Sequence, residues 1–203
     1  MLKSHIFLKN LVVFASGSGS NFQSLIDAIR DEKLDAKIAG FISNSSNAFS
    51  VQRAIENNIP VLTTSPSNFD SEDDYIQNIL IHLEEWNADL LILAGFLKKI
   101  PLKIIKKYEN RILNIHPSLL PKYGGKGFYG SKVHEAVIQN NETESGCTVH
   151  VVTEEYDDGP IIGQSKVEVL PSDSAEDLSK KVLEQEHKLF PEVIQKYLKT
   201  LNN

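Results

Sequence analysis

Asn114 and His116 stand two residues apart in Leu113-Asn-Ile-His-Pro-Ser-Leu-Leu-Pro121, and in a strand that spacing turns both side chains to one face. An amide donor beside an imidazole suits acyl transfer, because both can hydrogen-bond an oxygen that becomes negative in a tetrahedral intermediate. The bland alternative is a core histidine with an asparagine that caps a turn. A carboxylate to orient the imidazole is available in the acidic turn Thr153-Glu-Glu-Tyr-Asp-Asp-Gly-Pro160. Asp157 and Asp158 qualify equally, and either would favour the imidazolium and fix its ring. Otherwise the segment is simply a solvated turn.

A second constellation is Gly17-Ser-Gly-Ser-Asn21, where glycines let backbone N–H groups approach an anion at a helix N-terminus, with the Ser18 and Ser20 hydroxyls and the Asn21 amide as further donors. No Lys-Ser/Thr pair follows, so it is not a nucleotide triphosphate loop. It also lacks the third glycine of the dinucleotide fingerprint, and a monophosphate fits it better. Glu186 lies four residues from both Val182 and Phe190 on the apolar stripe of the last helix, where a carboxylate is costly unless it meets a partner. A bend at Pro191 that leaves Glu186 at the edge of the stripe is the alternative. Gly125-Lys-Gly-Phe-Tyr-Gly130 matches a dinucleotide motif in letters. No strand directly precedes it and no acidic partner follows, so it reads as an active-site loop. His134 and His187 fall on expected helices and His150 on an expected strand beside Thr148, where it can line the cleft or pack in the core. His5 and His82 read as surface residues. No pair of histidines has metal-ligand spacing, and no metal is expected.

These groups need a frame. Leu11–Ala15 is a short apolar run that the glycine loop stops, and Phe22, Leu25, Ile26 and Ile29 then repeat at helical spacing. The alternation continues with strands over 36–42, 60–63, 89–94 and 111–115 and helices over 49–57, 71–86 and 101–108. Strands that alternate with helices predict a doubly wound, mostly parallel α/β sheet with helices on both faces. The site would then sit at the carboxyl ends of its strands. Two later strands, 147–152 and 160–169, are joined by a turn too short for a helical crossover and form an antiparallel pair near the C-terminal part. A final helix follows, capped by Asp173 or Ser174, with Leu178, Val182, Phe190 and Val193 as its stripe. The expectation is one domain over 1–203.

Composition narrows the function. The 203 residues carry 21 basic and 27 acidic side chains, a net charge of -6, which argues against a broad nucleic-acid surface. Apolar stretches fall short of the roughly 20 residues that span a bilayer. Lys9 interrupts the apolar run near the start, so residues 1–17 read as a lead into the first strand rather than a signal peptide. The single Cys147 excludes an intrachain disulfide and a cysteine-based metal site, and it fits a reducing cytoplasm.

Taken together, Gly17-Ser-Gly-Ser-Asn21, Leu93-Ala-Gly-Phe96, Leu113-Asn-Ile-His-Pro-Ser-Leu-Leu-Pro-Lys122, Gly146-x-Thr-Val-His150, Asp157-x-Gly-Pro160 and Gln185-Glu-His187 resemble the phosphoribosylglycinamide formyltransferase family of the formyltransferase superfamily. The match runs over nearly the whole chain. The resemblance implies the formyltransferase fold and transfer of formyl from 10-formyltetrahydrofolate, as co-substrate, to the amine of glycinamide ribonucleotide in purine synthesis. It implies that Asn114, His116 and Asp157 are catalytic, which resolves the acidic pair, with Asp157 keeping His116 charged. It also implies that Gly19, Ser20 and Asn21 hold the phosphate and that Glu186 contacts the ribose hydroxyls. Phe96, Leu97, Lys98, Lys99, Ile100 and Asn114 would line the folate pocket, Lys98 or Lys99 attracting the glutamate tail. Glu72 stands where some relatives place an arginine for that tail, and the Gly124–Gly130 loop is longer than in many members. The partners implied are small molecules, with neither nucleic acid nor membrane, acting on a monomer or homodimer. Methionyl-tRNA formyltransferase and formyltetrahydrofolate hydrolase share this core but normally add a C-terminal or N-terminal domain, which a chain ending at Asn203 is not expected to carry. A silent phosphate-ligand-binding module is a further alternative, against which the intact Asn114, His116 and Asp157 speak.

Overall fold

The computed structural model describes residues 8–201; His5 and the start of the expected lead into the first strand lie outside the described residues. The chain alternates as expected: β1 (Lys9–Phe14), α1 (Ser20–Arg30), β2 (Ala36–Ser43), α2 (Phe49–Glu56), β3 (Val61–Thr63), α3 (Glu72–Glu85), β4 (Leu90–Leu93), α4 (Leu102–Lys107) and β5 (Ile112–His116). Then come α5 (Ser131–Gln139), β6 (Glu144–Val151), β7 (Ile161–Glu168) and α6 (Ala175–Thr200). Side-chain alternation explains the layers. Leu11, Val13, Ile92, Leu113 and Ile115 turn to one face and pack with Phe22 and Leu25 of α1 and Phe190 and Ile194 of α6. Val12, Phe14, Leu91 and Ile112 turn to the other, against Tyr75, Ile79 and Leu83 of α3 and Ile104 of α4. Central strands buried on both faces must read as continuous apolar runs, which is why Leu90–Leu93 has no polar residue.

The seven strands lie in the order β3-β2-β1-β4-β5-β6-β7. From β1 the chain winds outward through β2 and β3, then returns to place β4 on the other side of β1, with all four pairings among β1 to β5 parallel. The reversal opens a crevice at the carboxyl ends of β1 and β4, the usual ligand position in such sheets. The expected antiparallel pair β6–β7 is present. A second antiparallel pairing, β5 with β6, was not expected. The excursion from His116 through α5 to Glu144 leaves and re-enters the sheet at the same end, so it is no crossover despite its helix. Its register sets Asn114 opposite His150 and His116 opposite Thr148.

One open alternative is resolved and one local expectation changes. Ser174, not Asp173, caps α6: its hydroxyl accepts the Asp177 N–H while the Asp177 carboxylate accepts the Ser174 N–H. Asp173 instead pairs with Lys181. His82 is half-buried rather than on the surface, edge-on to Trp86 with ring centroids 5.5 Å apart. No helix among the described residues is long and apolar enough to cross a membrane.

Candidate active site

Asn114 and His116 leave the end of β5 on one face, as their spacing predicts, and both line a cleft of about 640 Å³ at the crevice. The turn after β6 brings Asp157 to them. Its carboxylate stands between two imidazoles, with Oδ2 3.6 Å from His116 Nδ1 and Oδ1 3.5 Å from His150 Nε2. Oδ2 also accepts the Gly125 N–H at 2.9 Å. Asp157 adopts φ 54°, a left-handed conformation that Asp tolerates better than most residues. Asp158 does not line the cleft, so of the two candidates Asp157 meets the imidazole. His150 belongs to the same network: its Nδ1 is 3.0 Å from the Val151 carbonyl and its Nε2 3.0 Å from Asn114 Nδ2. A carbonyl only accepts, so Nδ1 carries a proton, and in the neutral ring Nε2 receives the Asn114 amide hydrogen. The second Asn114 amide hydrogen is left for a group in the cleft.

His116 is held at Nε2, which lies 2.8 Å from the Tyr123 carbonyl oxygen and therefore donates to it, while Nδ1 faces the Asp157 carboxylate. The ring is only 4% exposed. Burial pushes its pKa below the ordinary histidine value, the Asp157 carboxylate and Tyr123 carbonyl offsetting only part of this and His150 adding to it. Asp157 thus pulls His116 toward the imidazolium, as the resemblance implies, while desolvation pulls more strongly the other way in the resting protein. Burial would also raise the Asp157 carboxyl, but its close contacts with the His150 and His116 rings and the Gly125 N–H together hold it below its ordinary value. A fixed anion thus faces a desolvated imidazole.

The glycine loop sits where its sequence puts it, between β1 and α1. Gly19 has φ 70° as the residue before α1, and a Cβ there would stand 2.6 Å from Ser50 Cβ, so both backbone and space require glycine. Arg53 of α2 braces the loop. Its Nε donates to the Ser18 carbonyl at 2.9 Å and Nη1 to Gln23 Oε1 at 2.7 Å, which brings a cation to an anion-binding geometry. Asn21 reaches into the cleft, whereas Gly19 and Ser20 do not line it. Asn21 Nδ2 donates to Glu186 Oε2 at 2.6 Å, and this is the partner the carboxylate on the apolar stripe requires; α6 runs unbroken through Pro191. Glu186 is 6% exposed, and burial pushes its pKa up to about 7 against the lowering effect of the Asn21 bond.

Phe96, Leu97, Lys98, Lys99 and Ile100 line the opposite wall. The Leu97 N–H donates to Ser16 Oγ at 2.9 Å, which ties this segment to the glycine loop. Phe96 packs edge-on against Phe14 at 5.4 Å. Leu97 is exposed, whereas Ile100 is buried and shares the core with Ile104. Lys99 lies 5.1 Å over the Tyr156 ring at the cleft. Among the described residues no group of three or more His, Cys, Asp and Glu side chains is placed to hold a metal ion.

A family model described as formyl transferase matches residues 9–194. The chain belongs to the formyl transferase family. It is 41% identical over 187 residues to phosphoribosylglycinamide formyltransferase, chloroplastic, of Arabidopsis thaliana, covering 92% of this chain and 64% of that one. The chain therefore spans less than two thirds of that plant relative. To phosphoribosylglycinamide formyltransferase of Escherichia coli it is 39% identical over 185 residues, 91% of this chain and 85% of the relative. The crystal structure of glycinamide ribonucleotide transformylase 1 from Symbiobacterium toebii superposes with a TM-score of 0.91 at 32% identity, over 98% of this chain and 92% of that one.

In this formyl transferase His150 and Arg53 are the groups that sequence reasoning underweighted or missed. His150 had a signal, its alternation with Thr148, but its partner is set by the β5–β6 register. His134 of α5 is a third cleft histidine, 4% exposed and with no partner at Nδ1 among the described residues. Burial, with a smaller contribution from His116, lowers its pKa to about 4. Between the ordinary histidine value and about pH 4 the unfolded chain therefore binds a proton that the folded one refuses, so stability falls as pH drops through that window. Urea titrations should show a smaller loss between pH 7 and pH 4 in His134→Gln than in the parent protein; parallel losses would contradict a neutral buried ring. Cys147 is fully buried, and burial raises its thiol to about 12, so it is a packing residue.

Proposed function

We propose that this chain transfers the formyl group of 10-formyltetrahydrofolate to the amine of 5-phosphoribosylglycinamide, giving formylglycinamide ribonucleotide and tetrahydrofolate in de novo purine (IMP) biosynthesis. The observation that carries this reading is the convergence in one cleft of an acyl-transfer set, Asn114, His116 and Asp157, with Asn21 and Glu186 at the foot of an anion loop. The names of the relatives support it. Backbone N–H groups at Gly19 and Ser20, with Asn21 and nearby Arg53, would take the phosphate. Glu186 would accept the ribose hydroxyls, and the 96–100 segment would cover the pterin while Lys98 and Lys99 draw the glutamate tail.

In the reaction the substrate amine forms a bond to the formyl carbon, and the bond from that carbon to folate N10 breaks. Asn114 donates its free amide hydrogen to the oxygen as it becomes an oxyanion. His116 turns its Nε2–H from the Tyr123 carbonyl to the same oxygen. The growing negative charge, added to that of Asp157, offsets the burial penalty and favours the imidazolium. The proton the amine loses ends on the departing N10. The site is assembled from one chain, which suits a monomer or homodimer, and a buried, unpaired Cys147 suits the cytoplasm.

The test is an absorbance assay with both substrates, a control without the ribonucleotide, and a His116→Ala variant. Turnover that requires the ribonucleotide and falls by roughly a hundredfold or more in the variant is the expected result. Tetrahydrofolate release that ignores the ribonucleotide would make the protein a hydrolase, and binding of both ligands without turnover would make it a binding module.

A further inference from the structure

Tyr123 lies outside the cleft, yet its backbone carbonyl receives the His116 Nε2–H at 2.8 Å. It does so from φ 56°, a left-handed conformation that a bulky side chain rarely adopts and that persists only where the surroundings hold it. The surroundings here are specific. The Tyr123 hydroxyl donates to Glu142 Oε1 at 3.0 Å, and the neighbouring Lys122 ammonium donates to both Glu142 oxygens at 2.9 and 3.0 Å. The Tyr123 ring packs against the small core between α5, β6 and α6 and edge-on to Phe128 at 5.9 Å. Glu142, in the turn after α5, thus fixes two consecutive residues of the loop leaving β5. Ser118 ties the loop further by donating to the Lys122 carbonyl at 2.6 Å.

We infer that Tyr123, clamped by Glu142 and Lys122 on the side of the loop away from the cleft, is a positioning residue that sets the tautomer and ring rotation of His116. The inference rests on the proposed acyl-transfer role of His116. A neutral imidazole has one N–H and two places here to put it: on Nε2, facing the Tyr123 carbonyl, or on Nδ1, facing the Asp157 carboxylate 3.6 Å away. Nδ1–H would satisfy the anion but leave Nε2 a bare acceptor, unable to stabilise an oxyanion. The Tyr123 carbonyl tips the choice to Nε2–H, the form that can be handed to the formyl oxygen by a small ring turn. Releasing the clamp lets Tyr123 leave the left-handed region, withdraws the carbonyl and returns the proton to Nδ1.

Two variants, Tyr123→Phe and Glu142→Ala, test this, with Glu142→Gln as the conservative control because its amide oxygen still accepts the tyrosine hydroxyl. Nitrogen-15 spectra of histidine-labelled protein, assigned with His116→Asn, should show Nε2 protonated in the parent and in Glu142→Gln. A shift toward Nδ1–H is expected in the other two. In parallel kcat should fall about three- to tenfold, the effect of losing one hydrogen bond, with KM for the ribonucleotide within about twofold of the parent. Unchanged tautomer signals in Tyr123→Phe and Glu142→Ala would overturn the inference, as would equal impairment of Glu142→Gln and Glu142→Ala. Absence of formyl transfer in the parent protein would instead defeat the functional reading, and the spectra would still decide whether the clamp sets the tautomer.

Discussion

An Asp157→Asn enzyme is expected to lose about two to three orders of magnitude in kcat, with KM for the ribonucleotide little changed. The substitution is isosteric, and Asn tolerates the left-handed backbone of this position as readily as Asp. Its amide oxygen can still accept the Gly125 N–H that now bonds Oδ2. What disappears is the charge. Burial already outweighs Asp157 in setting the His116 pKa, so removing the carboxylate pushes the imidazole further down and leaves nothing but the transient oxyanion to favour its protonation. The remaining activity should therefore depend on pH through a His116 ionisation moved to lower pH, which a kcat profile between pH 5 and pH 9 would reveal. An Asp157→Asn protein with full kcat would remove the carboxylate from the mechanism. A profile that loses amplitude without moving would mean that Asp157 acts on geometry rather than on charge.

The contrast between Asp157 and the groups around it shows what a sequence discloses. Strand, glycine loop and helix were legible at Leu11 to Ile29 because apolar periodicity and glycine punctuation are local properties. Asn114 and His116 were legible as a pair because a two-residue spacing on a strand fixes a shared face. The second antiparallel pairing was not, since α5 between β5 and β6 mimics a crossover and only the point of re-entry distinguishes the two topologies. With that register missed, His150 could not be paired with Asn114. The Tyr123 carbonyl, the hold of Arg53 on Ser18 and the Asn21–Glu186 bond were invisible for related reasons. The first is a backbone atom with no residue signature, and the others join segments brought together only by tertiary packing. Even the charge state of His116 depended on a magnitude, burial against one nearby carboxylate, that residue types do not supply.

Glu186→Gln should make the protein more stable and a poorer enzyme at the same time. Glu186 is buried on α6 with a pKa raised from the ordinary 4.5 to about 7, so folding favours its protonated form. Below pH 4.5 it is neutral in both states and costs nothing. Between 4.5 and about 7 the folded state binds more protons than the unfolded one, so stability declines as pH rises, and above 7 the full penalty stands. That interval corresponds to an upper limit of about 3 kcal/mol. Glutamine keeps the bond from Asn21 and removes the ionisation. Its unfolding midpoint should therefore exceed that of the parent by up to roughly 6–12 °C at pH 8 and match it near pH 4.5. The carboxylate that carries this cost would accept the ribose hydroxyls, and glutamine offers one acceptor oxygen where glutamate offers two. KM for the ribonucleotide should rise about tenfold to a hundredfold, the worth of a charge-assisted hydrogen bond, with a smaller change in kcat. In the parent, that KM should improve as pH rises through about 7, as Glu186 ionises. A midpoint difference that does not vary with pH would refute the buried ionisation. An unchanged KM would take Glu186 out of the substrate site and leave it a structural partner of Asn21.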